Sequence, residues 1–193
     1  MKLLYSILVI APLFLATRGS EVKYILDTNE SVVTWKGWMQ LVPQNSHTGF
    51  LSVSEGELMI ENGGLVGGKL EVDMTTMTDE QHRSDNNLID HLKSPDFFDV
   101  AKFPASSFVI TKGAPMKGET AGTGNLTIKG ITHAVTFPVT MEVDGSTVNA
   151  HGKFTIDRIK WDVSYGSGFF GTLANEAISD NIDIDVKIVA RKK

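Results

Sequence analysis

Two neighbouring stretches of alternating apolar and polar residues constrain the fold of this chain more than any other feature. Residues 135–143 and 148–156 place an apolar residue or glycine at every second position, and Gly145-Ser146 lies between them. Successive side chains of a β-strand point to opposite faces of the sheet. The pattern therefore predicts a long antiparallel hairpin with one apolar face and one polar face.

The same alternation recurs along most of the chain. It is found in residues 33–36, 69–74, 125–128 and 182–190, with glycine- or asparagine-containing turns between the runs. These runs predict about eight to ten strands. No linker or internal repeat divides them, so residues 20–193 are predicted to form one domain.

One segment is predicted to be helical. It begins at Thr78 or Asp79, either of which can cap a helix, and continues to Lys93. Ser94-Pro95 ends it, because the residue before a proline avoids helical geometry.

Many strands and a single helix predict an up-and-down barrel or a sandwich. An eight-stranded barrel holds either packed side chains or one small ligand. Small residues lie on the apolar face at Gly122, Gly124, Ala150 and Gly152. Either large neighbours such as Trp35 and Phe154 fill the space they leave, or a cavity remains. Close strand packing or bulges explain such glycines equally well.

Residues 1–19 have the features of a secretory signal peptide. Lys2 precedes an apolar run at 3–16, and small residues follow up to Ser20. The run is shorter than the ~20 residues of a membrane-spanning helix. We therefore expect cleavage near Gly19 or Ser20 and a periplasmic or secreted protein, with an uncleaved membrane anchor as the alternative.

Composition excludes several classes of function. Loss of Lys2 and Arg18 with the signal peptide leaves 16 basic and 23 acidic side chains, a net charge of −7, so nucleic-acid binding is not expected. The chain has no cysteine, and therefore neither disulfides nor a thiol nucleophile. The five histidines lack metal-ligand spacing, and no serine-nucleophile or phosphate-binding motif is present. No metal, cofactor or catalytic residue is predicted.

Arg158 is the charged residue of most interest. It follows the second strand of the hairpin and lies near Trp161 and Tyr165 in the sequence. An arginine there can stack on a ring, pair with Asp157 or Asp162, or bind a phosphate. A structural salt bridge at the barrel rim is the competing interpretation.

Four motifs, in order along the chain, carry a resemblance to a known family. They are HTGF at 47–50, HLKSPDFFDVAKFP at 91–104, GNLTIKGITHAVTFP at 124–138 and FTIDRIKWDVSYGSG at 154–168. Residues 22–190 resemble the YceI-like family. The resemblance implies an all-β fold with one short helix: an antiparallel lipocalin-like β-barrel of about eight strands, with the helix and the following loop near the mouth.

The resemblance also implies a function, because family members of known function bind a long polyisoprenoid inside the barrel. We expect an exported carrier or sequestering protein for an isoprenoid or other lipid, without enzymatic activity. Transient membrane contact and a dimer are compatible with the sequence. Phe97, Phe98 and Phe103 are expected to turn inward. The candidate ligand-binding residues are Trp35, Phe50, Phe97, Phe98, Phe108, Phe137, Phe154, Arg158, Trp161, Phe169 and Phe170.

Two alternatives remain open. An enzyme acting on a hydrophobic substrate in the same cavity would bring Arg158, His47 and His133 together. A structural or stress-related barrel would have a filled interior, with a cavity volume well below ~300 Å³.

Overall fold

The structure is a computed structural model that describes residues 20–62, 64–80, 87–113, 120–173 and 176–193. The predicted signal peptide, residues 1–19, lies outside the described residues. Within the described part of the chain, no helix is long and apolar enough to span a membrane.

Antiparallel strands make up most of the described chain, and one short α-helix, α1 (Asn87–Lys93), lies between the fourth and fifth of them. The strands are β1 (Val22–Leu26), β2 (Val32–Met39), β3 (Val42–Glu61), β4 (Gly64–Asp73), β5 (Ala105–Lys112), β6 (Thr120–Ile128), β7 (Ile131–Asp144), β8 (Thr147–Asp157) and β9 (Asn181–Lys192).

The strands close into a barrel. Each strand from β2 to β9 pairs with its neighbour in sequence, and β9 pairs back with β2. The short β1 pairs with both β3 and β9, as β2 does further along the same strands. The predicted antiparallel barrel of about eight strands is thus confirmed, and its closure satisfies strand edges that would otherwise be open to other chains.

The predicted hairpin is formed by β7 and β8. Val139 lies opposite Gly152, and the register runs without a shift to Asp144 opposite Thr147. Gly145 closes the turn with a φ of 57°, a value that glycine adopts without a steric penalty. From Val135 to Asp144 of β7, partly or fully buried residues alternate with exposed ones, and the most buried residues of β8 are Val148, Gly152 and Ile156, so the apolar face points into the barrel.

The helix begins later than the sequence predicts. Thr78 and Glu80 donate their backbone N–H groups to the carbonyls of Phe50 and Thr48, so this segment runs extended beside β3 and is not helical. The helical conformation predicted to follow Thr78 or Asp79 is therefore absent from residues 79 and 80. Residues 81–86 lie outside the described residues. The predicted end is confirmed: α1 finishes at Lys93.

Candidate functional site

An apolar cavity of about 130 Å³ lies inside the barrel, and none of its lining residues belongs to α1. We call it the distal cavity. Its bounding surface is wholly apolar. Aliphatic side chains form much of the wall, among them Leu26, Leu58, Leu65, Leu70, Ile110, Val139, Met141, Val186 and Ile188.

A second cavity of about 140 Å³ lies nearer the helix. We call it the mouth cavity, because Leu92 of α1 and Phe97 and Phe98 of the following loop line it. Its surface is almost wholly apolar. Trp35 forms part of the wall, and among the described residues its buried Nε1–H has no hydrogen-bond partner. Trp35 is therefore held in the wall by apolar packing in the barrel core, without a hydrogen bond between its side chain and any described residue.

The two cavities are neighbours along the barrel. They share the lining residues Val33, Val72, Ser106, Leu126, Phe154 and Ile184. We refer to the pair as the axial channel. Apolar cavities of about 150 Å³ in other proteins stay dry and bind a molecule the size of benzene. Each cavity alone is well below ~300 Å³, the volume given above as the mark of a filled structural barrel, and the two adjoining cavities together approach it. The channel therefore suits a segment of a thin chain better than a bulky ring system.

The inward glycines have two different roles. A Cβ on Gly124 would lie 2.2 Å from the Phe108 ring, and one on Gly152 would lie 2.7 Å from the Phe137 ring. These two glycines make room for aromatic side chains. A Cβ on Gly122 would meet nothing closer than 3.4 Å, and Gly122 lines the distal cavity. Both sequence interpretations are thus realised: some of the space is filled, and some remains as a cavity.

Three aromatic rings lie side by side across the middle of the channel. The Phe137 and Phe154 rings stack with centroids 4.5 Å apart, and Phe108 lies 5.6 Å from Phe137. Phe108 and Phe137 line the distal cavity, and Phe154 lines both cavities. Phe154 therefore lies where the two cavities adjoin, and the Phe108 and Phe137 rings lie on the distal side of it.

The loop after α1 covers one end of the barrel. Ser94-Pro95 ends the helix, and backbone hydrogen bonds from Phe98 to Leu92 and from Val100 to Lys93 turn the chain back. Phe97 is only 4% exposed and lines the mouth cavity with Phe98. Phe103, in contrast, packs against Gly130 and does not line the channel. Two of the three phenylalanines in the loop thus form the wall of the mouth.

Arg158 lies at the same end, where β8 gives way to a 3-10 turn at Arg158–Trp161. It is 2% exposed and lines the mouth cavity. Its guanidinium donates to the carbonyls of Ser179 (3.0 Å), Val163 (2.5 Å) and Ile178 (3.2 Å). Asp180 provides an ion pair at 3.4 Å.

These contacts define the structural role of Arg158. Burial lowers the pKa of its guanidinium, and the carboxylates of Asp180 and Asp157 act in the opposite direction. Because the donated hydrogen bonds go to backbone carbonyls, Arg158 joins the turn after β8 to the segment before β9. It presents almost no polar surface to the cavity.

The remaining predicted site residues lie outside the channel. Phe50 is on the outer face of β3, where it lines a separate surface pocket with Met77. Trp161 is buried in a cluster with Ile128 and Ile156, and its Nε1–H donates to the carbonyl of Leu126. Phe169 and Phe170 are exposed on the loop between β8 and β9. Trp35, Phe97, Phe98, Phe108, Phe137, Phe154 and Arg158 line the channel.

The three polar residues considered for catalysis have separate sets of partners. His47 Nδ1 lies 3.0 Å from the buried carboxylate of Asp79. His133 Nε2 lies 2.9 Å from the backbone carbonyl oxygen of Lys160. Arg158 contacts carbonyls before β9. Neither histidine lines the channel.

Aliphatic residues form much of the channel wall, and the aromatic candidates taken from the sequence did not include them. Leu58, Leu70, Val186 and Ile188 are examples. Period-two alternation marks these positions as inward. The signal was therefore present in the sequence, but it is the same for a solid core and for a channel wall.

Comparisons with known proteins agree with this architecture. Residues 24–190 match the family model of the YceI-like domain. A UPF0312 protein of Shewanella denitrificans is 29% identical over 136 residues, covering 70% of each chain. A UPF0312 protein of Pseudomonas putida is 24% identical over 182 residues, covering 91% of this chain and 88% of the relative.

Two solved structures share the fold. The crystal structure of Burkholderia cenocepacia BcnA superposes with a TM-score of 0.64 at 24% identity, covering 85% of this chain and 98% of that one. A polyisoprenoid-binding domain from Saccharophagus degradans superposes with a TM-score of 0.64 at 13% identity, covering 89% and 99%. With the family model matched from the first strand to the last, the chain belongs to the YceI-like family.

Proposed function

We propose that this protein is exported and holds a polyisoprenoid or similar long apolar chain in the axial channel, as a carrier or a sequestering protein. The observation that carries the proposal is the pair of adjoining cavities with an almost wholly apolar surface. The binding of polyisoprenoid by the Saccharophagus degradans domain, which has the same fold, supports the choice of ligand.

The free energy of such binding is hydrophobic. Transfer of apolar surface out of water contributes ~25 cal/mol per Å², so a chain burying several hundred Å² gains on the order of ten kcal/mol before the costs of association. Because the cavities expose almost no polar surface, a hydrocarbon that enters them leaves no further donor or acceptor unpaired. A chain longer than the two cavities requires the rings of Phe108 and Phe137 to turn aside or leaves its remainder outside the mouth.

We propose binding without catalysis. The histidines considered for catalysis lie away from the channel, and Arg158 donates to backbone carbonyls. Export is proposed from the sequence of residues 1–19, whose charged start, apolar run and small residues are typical of a signal peptide.

A substitution that fills the distal cavity tests the proposal. In Gly122→Leu the new side chain has room for its Cβ and extends into the cavity. We expect the affinity for geranylgeraniol, titrated by tryptophan fluorescence, to fall at least about tenfold, or ~1.4 kcal/mol.

Ala121→Leu is the matched control, because Ala121 is the preceding residue of β6 and points outward. It is expected to bind like the unaltered protein. Equal affinity in both variants, or no binding by the unaltered protein, would contradict a ligand in the channel.

A further inference from the structure

One end of the barrel carries a group of exposed apolar side chains. They belong to the turn between β2 and β3 and to the loop between β8 and β9, and they are 47% to 82% exposed. We call this group the apolar rim, and its members are Leu41, Val42, Phe169, Phe170 and Leu173. Contiguous apolar surface of this kind on a protein marks an interaction site.

The two segments of the apolar rim are held together. The backbone N–H of Gln40 donates to the carbonyl of Ala177 at 2.8 Å, and Met39 forms an isolated β-bridge with Ile178. The side-chain oxygen of Gln40 packs against Gly168, since a Cβ there would lie 2.8 Å from it. The two segments that carry the rim residues are thus adjacent and bonded to each other.

The apolar rim adjoins the mouth of the axial channel. Ile178, which bridges to the β2–β3 turn, lines the mouth cavity. Tyr165, in the same loop as Phe169, has its ring 5.2 Å from the Phe97 ring, and Phe97 lines the same cavity. The exposed apolar surface therefore lies next to the end of the channel covered by the α1 loop.

Both segments of the rim lack charged residues. Residues 37–46 and 163–173 contain no Asp, Glu, Lys or Arg, although 21% of the chain is charged. Lys36 and Asp162 are the nearest charged residues before them in sequence. Side chains that insert below the lipid head groups are apolar or aromatic, because a charge is costly in the hydrocarbon region.

The size of the rim also bears on its partner. Two phenylalanines, two leucines and a valine at these exposures present on the order of 600 Å². A stable protein–protein interface takes ~800 Å² from each partner. About 57% of such an interface is apolar, so the apolar area of the rim does not by itself distinguish a second protein from a bilayer, and the absence of charged residues is what favours the bilayer.

We propose that the apolar rim docks on the surface of a lipid bilayer and places the mouth cavity against the layer from which an apolar chain enters. This inference rests on the proposed function, because it gives the channel ligand its route. The net charge, −5 for the whole sequence and −7 without residues 1–19, gives no attraction to anionic lipids, so docking depends on apolar contact and is insensitive to salt.

Vesicle flotation tests the proposal. The protein without residues 1–19, the form expected after export, should float with phosphatidylcholine vesicles at low and high salt, with no gain when phosphatidylglycerol is added. The double variant Phe169→Ser/Phe170→Ser is expected to lose at least about tenfold in its vesicle partition coefficient. The matched control Val66→Ser/Val109→Ser removes exposed apolar side chains elsewhere and is expected to float unchanged.

Uptake of geranylgeraniol added from solvent, without vesicles, separates this proposal from the proposed function. The Phe169→Ser/Phe170→Ser variant is expected to keep this uptake, which also shows that it is folded. Uptake without flotation of the unaltered protein overturns bilayer docking alone. Bilayer docking is also overturned if the double variant floats as well as the unaltered protein, or if high salt abolishes flotation of the unaltered protein. A dimer that the double variant disrupts, without flotation, assigns the rim to a second copy of the chain and also overturns docking.

Discussion

Arg158 shows how one side chain can be both charged and part of a hydrophobic wall. Its carbon atoms face the mouth cavity, and its nitrogens donate to three backbone carbonyls. Arg158→Met keeps most of the volume but removes these donors. We expect it to lose about 3 kcal/mol of unfolding free energy, measured by urea denaturation.

Lys160→Met serves as the control for that variant. Lys160 is exposed in the same 3-10 turn, and its replacement is expected to change the unfolding free energy by less than about 0.5 kcal/mol. Equal stabilities of the two variants would mean that the buried guanidinium does not hold the segments together.

For single residues, the sequence predicts whether a side chain points into the barrel better than it predicts which side chains that residue contacts. Period-two alternation correctly points Phe137 and Phe154 into the barrel. It does not distinguish Gly122, which borders the distal cavity, from Gly124, which is covered by the Phe108 ring. The difference depends on side-chain rotamers across neighbouring strands, and one strand's sequence does not encode them.

Among the elements, the β8–β9 pair shows how polar contacts support the outer face of the barrel. His151 and Lys153 on β8 both contact the carboxylate of Asp185 on β9, each at 2.8 Å. Burial alone raises the pKa of Asp185, but hydrogen bonds from Lys153 and His151 outweigh it, and the pKa lies below the usual 3.8. The ionised carboxylate therefore stabilises the folded state.

The sign of this shift gives a pH prediction. A carboxyl with a lowered folded-state pKa adds stability above its unfolded pKa of 3.8 and loses it as pH falls through the folded value. Asp185→Asn is expected to be less stable than the unaltered protein at neutral pH by under about 1 kcal/mol. The difference should shrink below about pH 4, in thermal unfolding measured across the acidic range.

The exposed Asp144→Asn is the comparison for Asp185→Asn. It is expected to follow the unaltered protein at every pH. A stability difference for Asp185→Asn that persists unchanged at low pH would show that the carboxylate charge is not its cause.

Elements that alternate were predictable, and the start of the helix was not. The strands are recognisable in the sequence from period-two patterns, because one face of each strand is apolar and the other is polar. Thr78 and Asp79 have the chemistry of helix caps, yet hydrogen bonds to β3 hold the backbone on either side of them extended. Such tertiary contacts keep residues 79 and 80 out of helical geometry, and a local pattern does not reveal them.

The whole molecule is a closed barrel with an apolar channel inside it and an uncharged rim beside the mouth of that channel. The barrel and the family follow from motifs and alternation along the chain. The channel does not, because the same apolar pattern fits a solid core. Its two cavities depend on how residues from different strands meet, and on glycines such as Gly122, where a Cβ would meet nothing closer than 3.4 Å.

Native mass spectrometry of the protein purified from its own host tests whether an apolar chain occupies the axial channel. A chain held in the axial channel predicts a population of molecules heavier than the polypeptide by the mass of an apolar lipid, which organic solvent releases. Protein that is repeatedly empty after gentle purification, and that takes up no geranylgeraniol when it is offered, would contradict the claim.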